Sequence, residues 1–191
     1  MQIKRITVED FLTYLSEKYQ KSFEFHANGI DAWYSKYSTA IFRDSNGKRF
    51  QVRYSPEGFT DNYATVLFDE EIEKFFATAI QYECKLYANT RTFFSGADQL
   101  FSDYEDYLDN SPIISVSLFI KDENIRDSLV EQMRSIVPHS LVSCVVTVLN
   151  EELYRCVKRN SETPVGDGVI DVYSFSLENG DVVCQSWEGN A

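Results

Sequence analysis

Histidine is nearly absent from this chain. Only His26 and His139 occur in 191 residues, so imidazole-based catalysis and histidine-rich metal sites have little to work with. Cysteine is scarce too: Cys84, Cys144, Cys156 and Cys184 form no C-x-x-C pair, and none has a histidine at ligand spacing. They read as reduced, buried thiols and not as a crosslinked scaffold. Proline (4) and glycine (8) are few, which excludes collagen-like repeats and Pro/Gly-rich low-complexity chains. No long apolar run exists. The longest, Leu141 to Leu149, is interrupted by Ser143 and Thr147 and is too short to cross a bilayer. No apolar stretch follows Met1–Thr7, so no secretory signal is read and a cytoplasmic location is expected. The phosphate-loop, dinucleotide and nucleophile-elbow motifs are also missing.

Positive charge is in deficit. Eighteen Lys and Arg face 30 Asp and Glu, a net charge of −12 with a pI near 4.6. Phosphate backbones and anionic membranes demand a basic face, so neither nucleic acid nor membrane is an expected partner. What is abundant is core material: 43% apolar and 15% aromatic residues. A chain of this length buries about 70% of its unfolded surface without help from metals or disulfides.

The periodicities outline the elements. Thr7 with Asp10 forms a capping box ahead of Val8, Phe11, Leu12, Leu15 and Tyr19, one face of a helix. Ser22 to Phe25 begins a strand. Ser38–Asp44 and Lys48–Tyr54 flank Asn46-Gly47, a type I′ hairpin signal whose register sets Ile41 opposite Val52 and Asp44 opposite Arg49. Phe68, Ile72, Phe75, Ala79, Tyr82 and Leu86 then step by four and three, which predicts a helix of about six turns from Tyr63 to Tyr87.

A helix over Asp98–Leu108 follows, stopped by Asn110-Ser111-Pro112, and then a β-rich run from Ile113 to Ile120. Asp122 caps a helix with Ile125, Leu129, Met133 and Ile136 inward, ended by Pro138. Ser140–Leu149 reads as a central strand, and Asn150 caps a short helix through Leu153 and Val157. A second hairpin turns at Asn179-Gly180, with Phe175 opposite Cys184 and Leu177 opposite Val182.

The class implied is α+β, antiparallel hairpins packed against amphipathic helices. Charge and periodicity both change near Thr90–Gly96. Residues 1–91 hold 13 acids and 12 bases, residues 92–120 five acids and no base, and residues 121–191 twelve acids and six bases. The division drawn is residues 1–90, a helix–hairpin–long-helix unit, and residues 91–191, an acidic α+β unit, as two lobes or as one domain with two sub-cores.

Candidate chemistry is thin. A Cys144–His139 dyad lacks a local signature, and His26 merely borders a turn. Asp69, Glu70, Glu71 and Glu73 read as a solvated helix face. The spacing of acids over Asp98–Asp109 lacks the Gly and Glu positions of a calcium loop. No cofactor and no metal site is therefore assigned. The feature retained is Asp103-Tyr104-Glu105-Asp106-Tyr107-Leu108-Asp109. On a helix Tyr104 and Tyr107 would supply stiff contact area, while Asp103 and Asp106 would steer a basic protein partner.

The segment Phe11–Phe25, a hairpin, and then Phe59-Thr60-Asp61-Asn62-Tyr63 opening a helix resemble a loose group of small uncharacterised proteins of Gram-positive bacteria. The likeness spans about residues 8–80 and contains no catalytic motif. It implies a bacterial α+β module and supplies no site residues. The function expected is a noncatalytic protein-interaction module, of the immunity or adaptor kind, that binds a basic partner. The alternative is an enzyme whose cleft uses scattered carboxylates or a thiol. A nucleic-acid mimic would need acids along an extended surface, and the cluster at 98–109 is too short for that.

Overall fold

The computed structural model describes residues 6–29, 38–90, 92–95, 99–136, 141–159 and 167–188, the last five of these by backbone alone. Helices and two largely antiparallel sheets establish the α+β class. The chain divides into two compact units, Met1–Leu67 with Arg91–Ser102, and Phe68–Thr90 with Asp103–Ala191.

In the first unit α1 (Val8–Tyr19) opens on the expected capping box. Thr7 N–H donates to Asp10 Oδ2 at 2.9 Å, and Asp10 N–H donates to Thr7 Oγ1 at 3.3 Å. Strands β1 (Glu24–Asn28), β2 (Ser38–Arg43), β3 (Arg49–Ser55) and β4 (Gly58–Asp61) form an antiparallel meander, which β6 (Phe94–Ser95) completes. The β2–β3 hairpin is present, but its register is displaced by one residue: Ala40, not Ile41, lies opposite Val52, and Arg43 opposite Arg49.

The turn explains the slip. Gly47 N–H closes on Asp44 O, Asp44 N–H on Lys48 O, and only Gly47 is left-handed (φ 83°). That is a type I turn with a glycine bulge, one residue longer than a type I′ loop. Asp44 Oδ1 holds it by accepting from Asn46 N–H and Lys48 N–H. A one-residue shift changes faces, so Ala40, Phe42, Phe50 and Val52 reach the core while Ile41 is half-buried on the other side.

A buried charge ties α1 to this sheet. Asp61 is fully buried and accepts from Tyr14 Oη (2.7 Å), Lys18 Nζ (2.9 Å), Tyr19 Oη (2.6 Å) and Tyr63 N–H (3.0 Å). Lys18, itself 7% exposed, also reaches Phe94 O at 3.4 Å. Burial first, then the Asp61 carboxylate, pushes the Tyr14 and Tyr19 phenols well above their ordinary range.

The six-turn helix is not formed. Helix α2 (Tyr63–Leu67) ends where Lys48 Nζ donates to the Val66 and Leu67 carbonyls, each at 3.0 Å. After Phe68, α3 (Asp69–Ala79) begins afresh with three acids in its first turn, favourable charge at a helix N-terminus. The restart changes the phase. Ile72, Phe76 and Ile80 are buried, Phe75 is half-buried, and Leu86 lies on strand β5 (Lys85–Ala88). Cys84, read as helical, falls in the connection before β5.

The second unit is built on the sheet β10-β9-β8-β7-β5. Its central pair, β7 (Ile113–Ile120) and β8 (Leu141–Leu149), is parallel. A parallel pair needs a crossover, and α5 (Arg126–Arg134), entered through an Asp122-capped 3₁₀ turn, provides it with Leu129, Val130 and Met133 buried. Pro138, expected as its stop, lies outside the described residues. Alternate residues Ile114, Val116, Leu118 and Val142, Cys144, Val146 are fully buried. On the opposite face Phe119 and Leu149 pack with Tyr154 and Val157 around α6 (Glu151–Cys156).

Helix α4 (Tyr104–Asn110) starts at Tyr104, with Asp103 as its cap; Asp98 lies outside the described residues. Strands β9 (Val169–Glu178) and β10 (Asp181–Glu188) turn at Asn179 and Gly180, both at positive φ as a type I′ turn requires. Leu177 faces Val182 as read, but a bulge then sets Cys184 opposite Ser176 and Gln185 opposite Phe175.

Three outcomes follow from this packing. Phe76→Ala should destabilise the protein by about 3–5 kcal/mol in urea unfolding, and Phe75→Ala by clearly less, reversing the order that the sequence stripe implies. Lys18→Met should cost about 3–5 kcal/mol by stranding the buried Asp61 carboxylate. The Tyr14 and Tyr19 phenols stay protonated in the fold while unfolded tyrosines ionise near pH 10, so the native state holds more protons above that pH. Stability should therefore be intact below about pH 9 and fall as pH rises through about 10, with Tyr19→Phe flattening the fall in alkaline urea midpoints.

Candidate functional site

The retained acidic helix resolves into separate roles. Asp103 Oδ1 accepts from Asp106 N–H at 2.9 Å, so it caps α4, and Asp106 Oδ1 accepts from Asn110 Nδ2 at 2.8 Å. Glu105 and Asp109 are exposed. Tyr107 is fully buried against Phe68 (centroids 5.2 Å), so its ring belongs to the core and offers no contact surface. Tyr104 is half-buried beside the same phenylalanine at 6.2 Å. Burial, with Glu71 next in weight, pushes its phenol up to about 12. Four residues within a five-residue stretch, Asp103, Tyr104, Asp106 and Tyr107, thus divide between a cap, a margin ring, a helix-end bond and a core ring. The acids face solvent most, Tyr104 does so in part, and Tyr107 is closed off.

The carboxylates of α3 depart further from their sequence reading. Glu70 and Glu71 are exposed, but Asp69 is buried and Glu73 is half-buried, both drawn in by Arg159. Arg159 Nη1 stands 3.2 Å from Asp69 Oδ2 and 3.9 Å from Glu70 Oε1, while Nη2 pairs with Glu73 Oε2. The other Glu73 oxygen accepts from Ala88 N–H at 3.1 Å, which fixes α3 to β5. Burial raises the Glu73 carboxyl above its ordinary value despite the opposing pull of the Ala88 N–H and Arg159. Nothing local signals this cluster, because Arg159 lies 86 positions beyond Glu73.

Beside it opens a cleft of about 430 Å³, walled by Glu70, Glu73, Lys74 and Ala77 of α3, by Ile80, Tyr82 and Cys84 of the following connection, by Leu86 of β5, and by Arg159. Its lining mixes the apolar Ala77, Ile80 and Leu86 with two carboxylates, Glu70 and Glu73, and two cations, Lys74 and Arg159. The Cys84 thiol is half-buried, and burial raises its pKa; Cys144 is fully buried and raised well above the usual thiol range. Both are protonated at neutral pH, the wrong form for a nucleophile. Among the described residues no histidine lines the cleft; His139, of the dyad considered with Cys144, lies outside them. His26 is exposed on β1, 3.4 Å from Arg43 Nη2. Among the described residues no three His, Cys, Asp or Glu side chains converge as metal ligands.

The charge is strongly segregated. The first unit holds 10 bases and 9 acids, a net of +1, and the second 8 bases and 21 acids, a net of −13. Most cations of the second unit are already engaged. Lys85 Nζ donates to three carbonyls at the end of α6, those of Tyr154 (2.6 Å), Val157 (2.9 Å) and Arg155 (3.2 Å). Lys121 pairs with Glu83 and Glu151, Arg126 with Asp171, Arg134 with Glu131, and Arg155 with Glu151. Glu71, Glu105, Asp109, Glu123 and Glu152 are exposed without an ion pair among the described residues.

No helix among the described residues is long and apolar enough to cross a membrane. No family model matches the chain, and no curated protein matches it. A crystal structure of a DUF5037 family protein from Ruminococcus gnavus ATCC 29149 is similar in fold, with 12% sequence identity, a TM-score of 0.49, and coverage of 91% of this chain and 92% of that one.

Proposed function

We propose that this protein is a noncatalytic interaction module, of the immunity or adaptor kind, whose second unit binds a basic protein partner through its acidic surface. The observation that carries this reading is the charge segregation: a net of −13 on one unit, with that unit's cations largely consumed by internal pairs. Acids left over at a surface cost folding stability through self-repulsion and are compensated when a cationic partner arrives. The exposed acids of α4 and the margin ring of Tyr104 form one side of that surface, with Asp103 and Asp106 shaping the helix that presents them.

The enzyme alternative, with scattered carboxylates or a thiol, would place its chemistry at the cleft that holds Glu70, Glu73 and Cys84, where burial disfavours the thiolate and Arg159 already engages the carboxylates. Free thiols at Cys84, Cys144 and Cys156 suit a reducing compartment such as the cytoplasm.

The test is association of the full chain with an immobilised lysine- and arginine-rich peptide over a series of salt concentrations. Long-range steering should make the on-rate fall as ionic strength shortens the screening length to about 8 Å and below. Glu105→Lys with Asp109→Lys should lower the on-rate further while leaving stability within about 0.5 kcal/mol per change, since neither side chain holds the helix together. Binding that ignores both salt and these substitutions would remove the acidic surface as the docking determinant.

A further inference from the structure

Two arginines on the first sheet stand apart from the other arginines whose partners are described. Phe42 and Phe50 turn into the core, so Arg43 on β2 and Arg49 on β3 point to the opposite face, where the register sets them directly across from each other. Like charges so placed repel and cost the sheet stability. Neither forms an ion pair among the described residues, whereas Arg126, Arg134, Arg155 and Arg159 of the second unit all do. The acids beside them do not answer the charge. Glu24, opposite Arg43 on β1, is exposed and makes no ion pair with it. Asp44 is buried, with its oxygens committed to the hairpin turn and to Tyr63 Oη. Arg43 Nη2 lies 3.4 Å from His26 Nδ1, a contact that orients the guanidinium and leaves its charge. Arg53, farther along the same face of β3, lies over the Phe93 ring at 3.6 Å.

We infer that Arg43 and Arg49 together bind a phosphate dianion, free or carried as a monoester, on the outer face of the first sheet. This goes beyond the interaction reading, which concerns the acidic surface of the second unit. Side chains directly opposite in an antiparallel pair start about 5 Å apart, close enough for both guanidinium forks to meet one anion. Two positive charges match a group that carries about −1.5 to −2 at neutral pH and offers three acceptor oxygens. A carboxylate brings a single charge and suits one fork. Gln51, next on the same face of β3, is half-buried and adds an amide donor. Bound phosphate would turn the repulsion between the arginines into a shared attraction. The net charge of −12 on the chain opposes long-range attraction of anions, so affinity comes from direct contacts and is modest.

The experiment is an NMR titration of the full chain in phosphate-free buffer, following the arginine Nε–Hε signals. Inorganic phosphate and Nα-acetyl-phosphoserine methylamide are the probes, and Nα-acetyl-aspartate methylamide is the comparison at equal ionic strength. The Arg43 and Arg49 signals should shift and saturate with either phosphate probe. Those of Arg126 and Arg155, already paired with carboxylates, should stay in place. The aspartate probe should bind about fivefold more weakly or worse, having one charge and one fork to offer. Arg49→Gln should lower phosphate affinity about fivefold, the effect of losing an exposed ion pair. Arg49 is exposed and anchors nothing among the described residues, so this variant keeps the fold.

The relative affinities of the two phosphate probes tell a monoester from the free ion, and either order supports the proposal. Equal affinity for the aspartate probe, parallel shifts at Arg126 and Arg155, or titrations unchanged by Arg49→Gln would overturn it. So would Arg43 and Arg49 signals that stay fixed at the highest phosphate concentration. None of these results bears on capture of the basic peptide by the second unit, so the two readings stand or fall separately.

Discussion

Asp61 is the fixed point of the first unit. A carboxylate in the interior is tolerated only when its charge and its lone pairs are matched, and here four donors converge on two oxygens. Those donors come from α1 and from the first residue of α2, while Lys18 extends the network to β6. The helix therefore cannot slide along the sheet without uncovering a charge. Around this polar centre the aromatic rings of Phe11, Phe42, Phe50, Tyr63 and Phe59 fill the core in mostly tilted and edge-to-face contacts. The polar network sets the register of helix on sheet, and the rings supply the burial.

Unpaired strand edges invite other chains, and both sheets limit that exposure in a similar way. In the first, outer strand β1 carries a bulge between Phe25 and Ala27, and β6 is two residues long. In the second, β10 carries a bulge between Val182 and Cys184, and β5 is four residues long. Short or bulged edges are poor templates for an added strand. An added strand would therefore find little to extend in either sheet.

Charge plays opposite parts in the two units. At the core of the first it is buried, matched and structural. In the second it is mostly at the surface and in excess, while the available cations close helix ends and tether α3 to the segment after α6. Lys48 at α2 and Lys85 at α6 perform the same local task, donating to carbonyls that a helix leaves unpaired. Each cation so used is withdrawn from the outer surface, which sharpens the acidic character of what remains.

Local chemistry was legible in the sequence wherever a few neighbouring residues decide the outcome. The Thr7–Asp10 box, the Asn150 cap, the Asn179-Gly180 turn and the run that became central strand β8 all follow from short-range sterics and hydrogen bonding. The acidic excess and the α+β class were equally plain from composition and periodicity. Tertiary structure decided what depended on distant partners. Periodicity alone could not show that Lys48 would close α2 at Leu67, so the span from Tyr63 to Tyr87 read as a single helix although it covers two helices and most of a strand. Nor could it show that the chain leaves the first unit after Leu67 and returns to it for residues 91–102. Nothing near Lys18 in the sequence marks it as buried; Asp61, 43 positions away, draws it inside. Of the α3 acids read as a solvated face, Glu70 and Glu71 are exposed, while Asp69 and Glu73 are drawn in by Arg159 from the far side of the sequence. A buried or paired charge is defined by the group that compensates it, and in this protein that group is brought near only by the fold.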